Sequence, residues 1–166
     1  MLTKGLDNYP GTAGNDTIIG SIDTASPELN TASPIDTING GAGIDTFKFS
    51  AATALTTANL PTISNVEIIE VAAAAAATLD TSAIAGLTNL NVTKAAGDVK
   101  ATGATTTDVN VSMKAAGAQV EALGGKDVTV KLTDVAGANV NKIAVGDVVA
   151  TGSVNAPKGN VVVEAT

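Results

Sequence analysis

Four aspartates near the N-terminus carry the chemistry that this sequence can offer. Asp7 and Asp16 stand nine residues apart, and so do Asp36 and Asp45. Two positions after each comes a large apolar residue: Tyr9, Ile18, Ile38 or Phe47. The fullest unit, G-G-A-G-I-D-T-F at 40–47, fits the nonapeptide pattern G-G-x-G-x-D-x-U at every specified position. An upstream copy, G-T-A-G-N-D-T-I at 11–18, lacks only the second glycine, replaced by Thr12. Glycines let such a turn take positive φ and aim backbone carbonyls inward. Each aspartate adds a hard anionic oxygen, and the apolar residue anchors the turn in a core. An all-oxygen donor set suits Ca²⁺, which takes about six to eight oxygens, more than one turn supplies. Ligands must then come from turns stacked in successive coils. Aspartates brought close in this way would repel one another without the ion.

The rest of the composition narrows the function classes. There are 166 residues, enough for one domain or two small modules. Net charge is −7, with nine basic residues, all lysine. That balance argues against nucleic-acid binding, which needs a basic stripe, and suits a cation binder. Neither His nor Cys is present, so imidazole and thiolate ligands, disulfides and His-based catalysis are excluded. No H-E-x-x-H or G-x-S-x-G motif occurs. The only aromatics are Tyr9, Phe47 and Phe49, which leaves no platform for stacking on sugar rings. An enzyme is not expected. The opening M-L-T-K-G lacks the apolar stretch of a signal peptide, and no segment is long and apolar enough to span a membrane. The final V-V-V-E-A-T falls in mid-strand pattern, which reads as one segment of something longer.

Two regions position these residues. The first, 1–50, holds the nonapeptides, interrupted by a Ser-, Thr-, Pro- and Asn-rich insertion at 21–35 that reads as a surface loop. The second, 51–166, carries a slower repeat, and the two are expected to pack as one domain. One strand series runs Ile69/Val71, Leu90/Val92, Val109/Val111, Val128/Val130 and Val148, with steps of 21, 19, 19 and 20 residues. An interleaved series runs Leu79, Val99, Val120, Val140 and Val161. K-A-A-G recurs at 94–97 and 114–117, and Gly-Asp and Gly-Gly turn signals separate the strands. Within D-V-T-V-K-L-T at 127–133, Val128, Val130 and Leu132 share one face. The six alanines at 72–77 suit either a helical turn or the small inward residues of a tight coil. Two strands per coil of about 20 residues predict an all-β parallel solenoid, a calcium β-roll continuing into a β-helix. An antiparallel β-sandwich is the alternative, since strands at such spacing suit it too. Asp98, Asp108, Asp127, Asp134 and Asp147 read as turn residues. Lys94, Lys100, Lys114, Lys126, Lys131 and Lys142 read as one solvated face.

The stretch from Leu2 through Ile18, with 36–47 after the insertion, resembles the RTX (repeat-in-toxin) calcium-binding family. I-S-N-V-E-I-I-E-V at 63–71 and G-L-T-N-L-N-V-T at 86–93 are similar to modules of large secreted bacterial surface-layer and biofilm-matrix proteins of that family. The resemblance implies export by a type I secretion system with a C-terminal signal, and folding in extracellular Ca²⁺. It makes Asp16 and Asp45 the leading side-chain ligands, with carbonyls near Gly11, Ala13, Gly40 and Ala42. Asp7 and Asp36 match the aspartate position without the preceding glycines, and Pro34 stands where a glycine is expected. Asp23, in the insertion, is a further candidate. The implied function is a calcium-binding structural module that self-assembles through calcium-dependent contacts at the cell surface or in the biofilm matrix. A cell-surface polysaccharide is a further candidate partner. The alternatives are an adhesin's ligand-binding module, or the non-catalytic calcium-binding part of a secreted enzyme.

Overall fold

Each D-x-U unit becomes one short strand with its apolar residue turned inward. The computed structural model describes residues 1–114, 118–133, 142–146 and 156–165. It places the four units as β1 (Asn8–Pro10), β2 (Thr17–Ile22), β3 (Thr37–Asn39) and β4 (Thr46–Ala51). Ile18, Ile38 and Phe47 are fully buried, and Tyr9 packs partly buried against them. One pair of units makes one coil. The second coil lies parallel on the first, Tyr9 over Ile38 and Ile18 over Phe47.

The chain winds on through β5 (Leu55–Thr56), β6 (Thr62–Ser64), β7 (Ile68–Ala73) and β8 (Ala77–Asp80). Then come β9 (Asn89–Ala95), β10 (Val99–Gly103), β11 (Asp108–Lys114) and β12 (Gln119–Gly124), followed by β13 (Val128–Thr133), β14 (Lys142–Val145) and β15 (Val161–Ala165). They form a seven-stranded sheet ordered β15-β13-β11-β9-β7-β4-β2, a five-stranded sheet β14-β12-β10-β8-β5 and a three-stranded sheet β1-β3-β6. Every strand pairing among the described residues is parallel. The protein is therefore a parallel β-solenoid. The sandwich alternative is overturned, because its sheets are built from antiparallel neighbours. Two coils carry a third strand, which the two-strand reading did not include.

Stacking like over like fills the interior. Along the long sheet the inward column runs Ile18, Phe47, Ile69, Leu90, Val109 and Val128, each in register with the next. Ala77, Val99 and Val120 make the facing column on the five-stranded sheet. Side chains this small let the two sheets approach closely, so the core is thin and continuous. The alanine run forms no helix. Ala73 ends β7 and Ala77 begins β8, both buried, while 74–76 turn the corner between sheets. Phe47 and Phe49 stack at 4.8 Å within β4.

Two register assignments need correction. Leu79 pairs with Ala101, so that Ala77 is the residue beneath Val99. Val161 belongs to the long sheet, against Val128, while Ile143 takes the position above Val120. The last coil is longer than its predecessors, and a constant step therefore assigned Val161 to the wrong sheet. Val140 and Val148 lie outside the described residues, as do Asp134, Asp147 and the A-A-G of the second K-A-A-G string. The lysines do not form one face either. Lys100 pairs with Glu121 on the five-stranded sheet at 3.0 Å, and Lys126 sits at a turn within 3.6 Å of both Asp108 and Asp127.

The insertion closes the N-terminal edge of the long sheet. Ile19 and Ser21 turn their outer carbonyls away from β4, and these accept from Leu2 N–H and from Thr31 and Ala32 N–H. Thr31 Oγ1 accepts the Ser21 N–H at 2.9 Å. Ala32 and Leu2 are buried against Gly20, where a Cβ would come within 2.8 Å of the Ala32 methyl. The tip of the loop, including the 3-10 turn Pro27–Leu29, stays exposed. Pro10 sits in the edge strand β1, where a missing N–H is tolerated.

Candidate metal centre

A carboxylate that follows a tight turn can fold back on that turn or reach the next coil. The four aspartates divide these roles, and Asp36 alone takes both. Asp36 Oδ1 accepts the Asp7 N–H of the preceding coil at 2.9 Å, and Asp45 Oδ1 accepts the Asp16 N–H at 2.7 Å. Glu67 repeats the contact one coil on, taking the Asp45 N–H on Oε2 at 2.8 Å. The acids therefore stack in two columns, Asp7–Asp36 and Asp16–Asp45–Glu67. Among the described residues no group of three or more acidic side chains converges as a metal cage. The crowding of aspartates expected from the spacing is relieved by these backbone donors.

Three of the aspartates are also clasped from behind. Asp7 accepts from the N–H and hydroxyl of Thr3, at 2.7 and 3.0 Å. Asp16 Oδ2 accepts the same two groups of Thr12, at 2.6 and 2.9 Å. Asp36 Oδ2 accepts those of Ser33, at 2.7 and 3.0 Å. Asp45 differs. Four residues before it stands Gly41, which has no hydroxyl and whose N–H goes to Asn39 Oδ1. Asp45 is 0% exposed, and among the described residues its Oδ2 is the one buried side-chain oxygen or nitrogen without a hydrogen-bond partner.

The glycines explain the difference between the two nonapeptides. Gly41 holds φ +99 and Gly43 φ +123, where side chains other than glycine are strained. Thr12 replaces the first of these in the upstream copy, at an ordinary negative φ, and spends its hydroxyl on Asp16. Gly40 serves space rather than conformation. A Cβ there would lie 1.8 Å from the Asn65 carbonyl oxygen and 2.6 Å from Asp45 Oδ2. The Asn65 carbonyl oxygen and Asp45 Oδ2 thus both pack closely against the Gly40 Cα. Asn65 itself holds φ +48, uncommon outside glycine but tolerated by asparagine, and its Nδ2 donates to Asn39 Oδ1 at 2.8 Å.

This geometry fits a hard cation in part. Asp45 Oδ2 is anionic, buried and without a donor, and a bare buried carboxylate oxygen is costly unless a cation meets it. With the Asn65 carbonyl it supplies two protein oxygens, fewer than the roughly six to eight that Ca²⁺ takes. The remaining anticipated ligands are dispersed. Gly11 lies beneath the Gly40 carbonyl, too close to admit a Cβ, while Ala13 and Ala42 sit on exposed turns. Asp23 caps its own loop, accepting from Ala25 N–H at 2.9 Å. Sequence reasoning missed Asn65 and Glu67, which belong to no nonapeptide. A Ser or Thr three or four residues before an aspartate would have flagged the clasped carboxylates.

No protein-family model matches the chain, and no curated protein matches it in sequence. Among the described residues no helix is long and apolar enough to cross a membrane.

Proposed function

We propose that this chain is a calcium-dependent structural module of a secreted bacterial surface-layer or biofilm-matrix protein. The observation that carries the proposal is the bare, buried Asp45 Oδ2, packed with the Asn65 carbonyl against Gly40. The resemblance of 2–49 to RTX repeats supports Ca²⁺ over other cations, and export by a type I system with folding outside the cell. A parallel solenoid, stabilised by nearest-neighbour coil contacts, is suited to a structural role. A cation at Asp45 would join two coils, because Oδ1 already holds the Asp16 N–H and the Asn65 carbonyl belongs to the next coil. Assembly into larger structures through calcium-dependent contacts belongs to the same reading.

Thermal melts in calcium and in chelator test it. Calcium that binds only the folded state adds RT ln(1 + [Ca²⁺]/Kd), about 2.7 kcal/mol at a hundredfold excess over Kd. Asp45→Asn keeps the shape of the side chain and should abolish most of the calcium-dependent rise in Tm. Asp127→Asn should leave that rise intact. A rise that is absent in the parent chain, or equal in both variants, overturns the site. Light scattering with and without calcium then reads assembly separately.

A further inference from the structure

The sequence holds one Asn-Gly step, Asn39-Gly40, at the end of β3. Such a step can react with itself. The Gly40 backbone nitrogen, once it gives up its proton to base, attacks the Asn39 side-chain carbonyl carbon. A C–N bond forms, the bond from that carbon to Nδ2 breaks, and ammonia leaves. Water then opens the cyclic imide at either of its carbonyls, giving aspartate or isoaspartate. Glycine is the successor that permits this most readily, since no Cβ hinders the nitrogen and its backbone turns freely.

The Asn39 side chain is exposed, so water and base reach it. The stacking of coils holds the reaction back. To close the ring, the peptide plane between Asn39 and Gly40 must swing round and bring its nitrogen against the side chain. That plane is pinned at both ends. The Asn39 backbone carbonyl accepts the Gly11 N–H of the preceding coil at 2.6 Å, and the Gly40 N–H donates to the Ser64 carbonyl of the next coil at 3.0 Å. The side chain is pinned as well. Asn39 Oδ1 accepts the Gly41 N–H at 3.1 Å and is met by Asn65 Nδ2 at 2.8 Å. All but the Gly41 bond come from neighbouring coils.

We infer that Asn39 is a site of spontaneous deamidation, held closed by the first and third coils and released when β3 leaves them. The two products differ in what they leave behind. An aspartate at 39 keeps an oxygen where Oδ1 stands and can still accept from Gly41 and Asn65. An isoaspartate routes the main chain through the former side chain and adds one carbon to it before Gly40. Gly40 has no room for that displacement, because the Asn65 carbonyl oxygen and Asp45 Oδ2 pack closely against it. A chain that opens and forms isoaspartate therefore cannot restack its second coil as before, and a transient opening becomes irreversible. No cation is needed for this hold, which consists of hydrogen bonds within the chain, so it stands apart from the calcium reading.

The test is peptide mapping by mass spectrometry of the whole chain, aged at neutral pH in calcium, both folded and in concentrated urea. In urea Asn39 should convert faster than any other asparagine, to aspartate and isoaspartate together. In the folded chain the same conversion should be slower by about tenfold or more, since only the open fraction reacts. Asn65→Gly keeps the positive φ of that position and removes the Nδ2 donor. Checked for fold by circular dichroism, it should speed conversion in the folded chain and leave the rate in urea unchanged. After ageing in urea and return to buffer, the isoaspartate form should melt below the aspartate form. No conversion of Asn39 in urea, faster conversion of another asparagine, equal rates folded and in urea, or a folded Asn65→Gly chain no faster than the parent overturns the inference. The chelator melts read the calcium site independently, so the two proposals fail separately.

Discussion

A single hydroxyl decides whether the second carboxylate oxygen of an aspartate in this chain is hydrogen-bonded or bare. Thr3, Thr12 and Ser33 close their aspartates, and Gly41 leaves Asp45 open. The glycine before it must also be bare. Gly40→Ala would push a methyl into the Asn65 carbonyl oxygen and against Asp45 Oδ2, with no flexible side chain to give way. Overpacking of this kind costs about 1–3 kcal/mol, and at this position it also displaces both oxygens of the proposed site. Denaturant titration should show the loss of stability, and the calcium-dependent rise in Tm should vanish with it. A Gly40→Ala chain that keeps both would refute the close packing of these oxygens on Gly40 described above. The nonapeptide was legible because its glycines and aspartate stand in one string. Asn65 and Glu67 were not, because their roles arise only when the next coil is laid on top.

At the level of elements, strands in the middle of the long sheet are held by two neighbours, while among the described residues β15 pairs with β13 alone. Two polar contacts reinforce that joint: the Lys131–Glu164 ion pair, and Asp127 Oδ1, which accepts the Asn160 N–H at 2.6 Å. That backbone donor, with the Lys126 ammonium, holds the Asp127 carboxyl below its ordinary value of 3.8. The Lys126 ammonium is raised in turn, chiefly by the charge of Asp108 and also by Asp127. A carboxyl whose pKa is lowered by folding stabilises fully above its ordinary pKa and stops doing so as pH falls through the lowered value. The β13–β15 joint should therefore hold at neutral pH and loosen as the pH drops below about 4. Amide exchange at 161–165, corrected for intrinsic rates, would show this, and Asp127→Asn should remove the acid-sensitive step.

The strand alternation at 128–132 could be read directly, because each Val or Leu must face the core and each Thr or Lys the solvent. The bulge at Lys94 could not. The two K-A-A-G strings stand 20 residues apart, which suggests an unbroken register. Only the need to keep a lysine out of the core, opposite Met113, breaks it. The insertion was legible as a loop from its prolines, but not as the cover for β2, since that work is done by backbone groups of Thr31 and Ala32.

For the molecule as a whole, parallel coils that touch only their neighbours imply graded rather than uniform stability. The first coil is covered by Leu2, Thr31 and Ala32. The last described strand exposes every residue, with Val161, Val162 and Val163 about half accessible. Hydrogen exchange should rank the inner amides of β7, β9 and β11 as the slowest and those of β15 as the fastest among the described strands. Equal protection throughout would instead mark the chain as one all-or-none unit.

The cross-coil side-chain contacts around the insertion span the same distance along the chain. Asp7 with Asp36, Asp16 with Asp45, Asn15 with Ile44 and Thr24 with Thr53 are each 29 residues apart. The extra length is thus absorbed wholly within the loop, and the stack above and below does not register it. The exposed tip at 27–29 is therefore a natural graft point. Foreign peptides, epitopes or tags placed there would project from the solenoid, provided that Thr31 and Ala32 keep their hold on Ser21. Loop-closure entropy grows only slowly with length, so even sizeable grafts would carry a modest penalty.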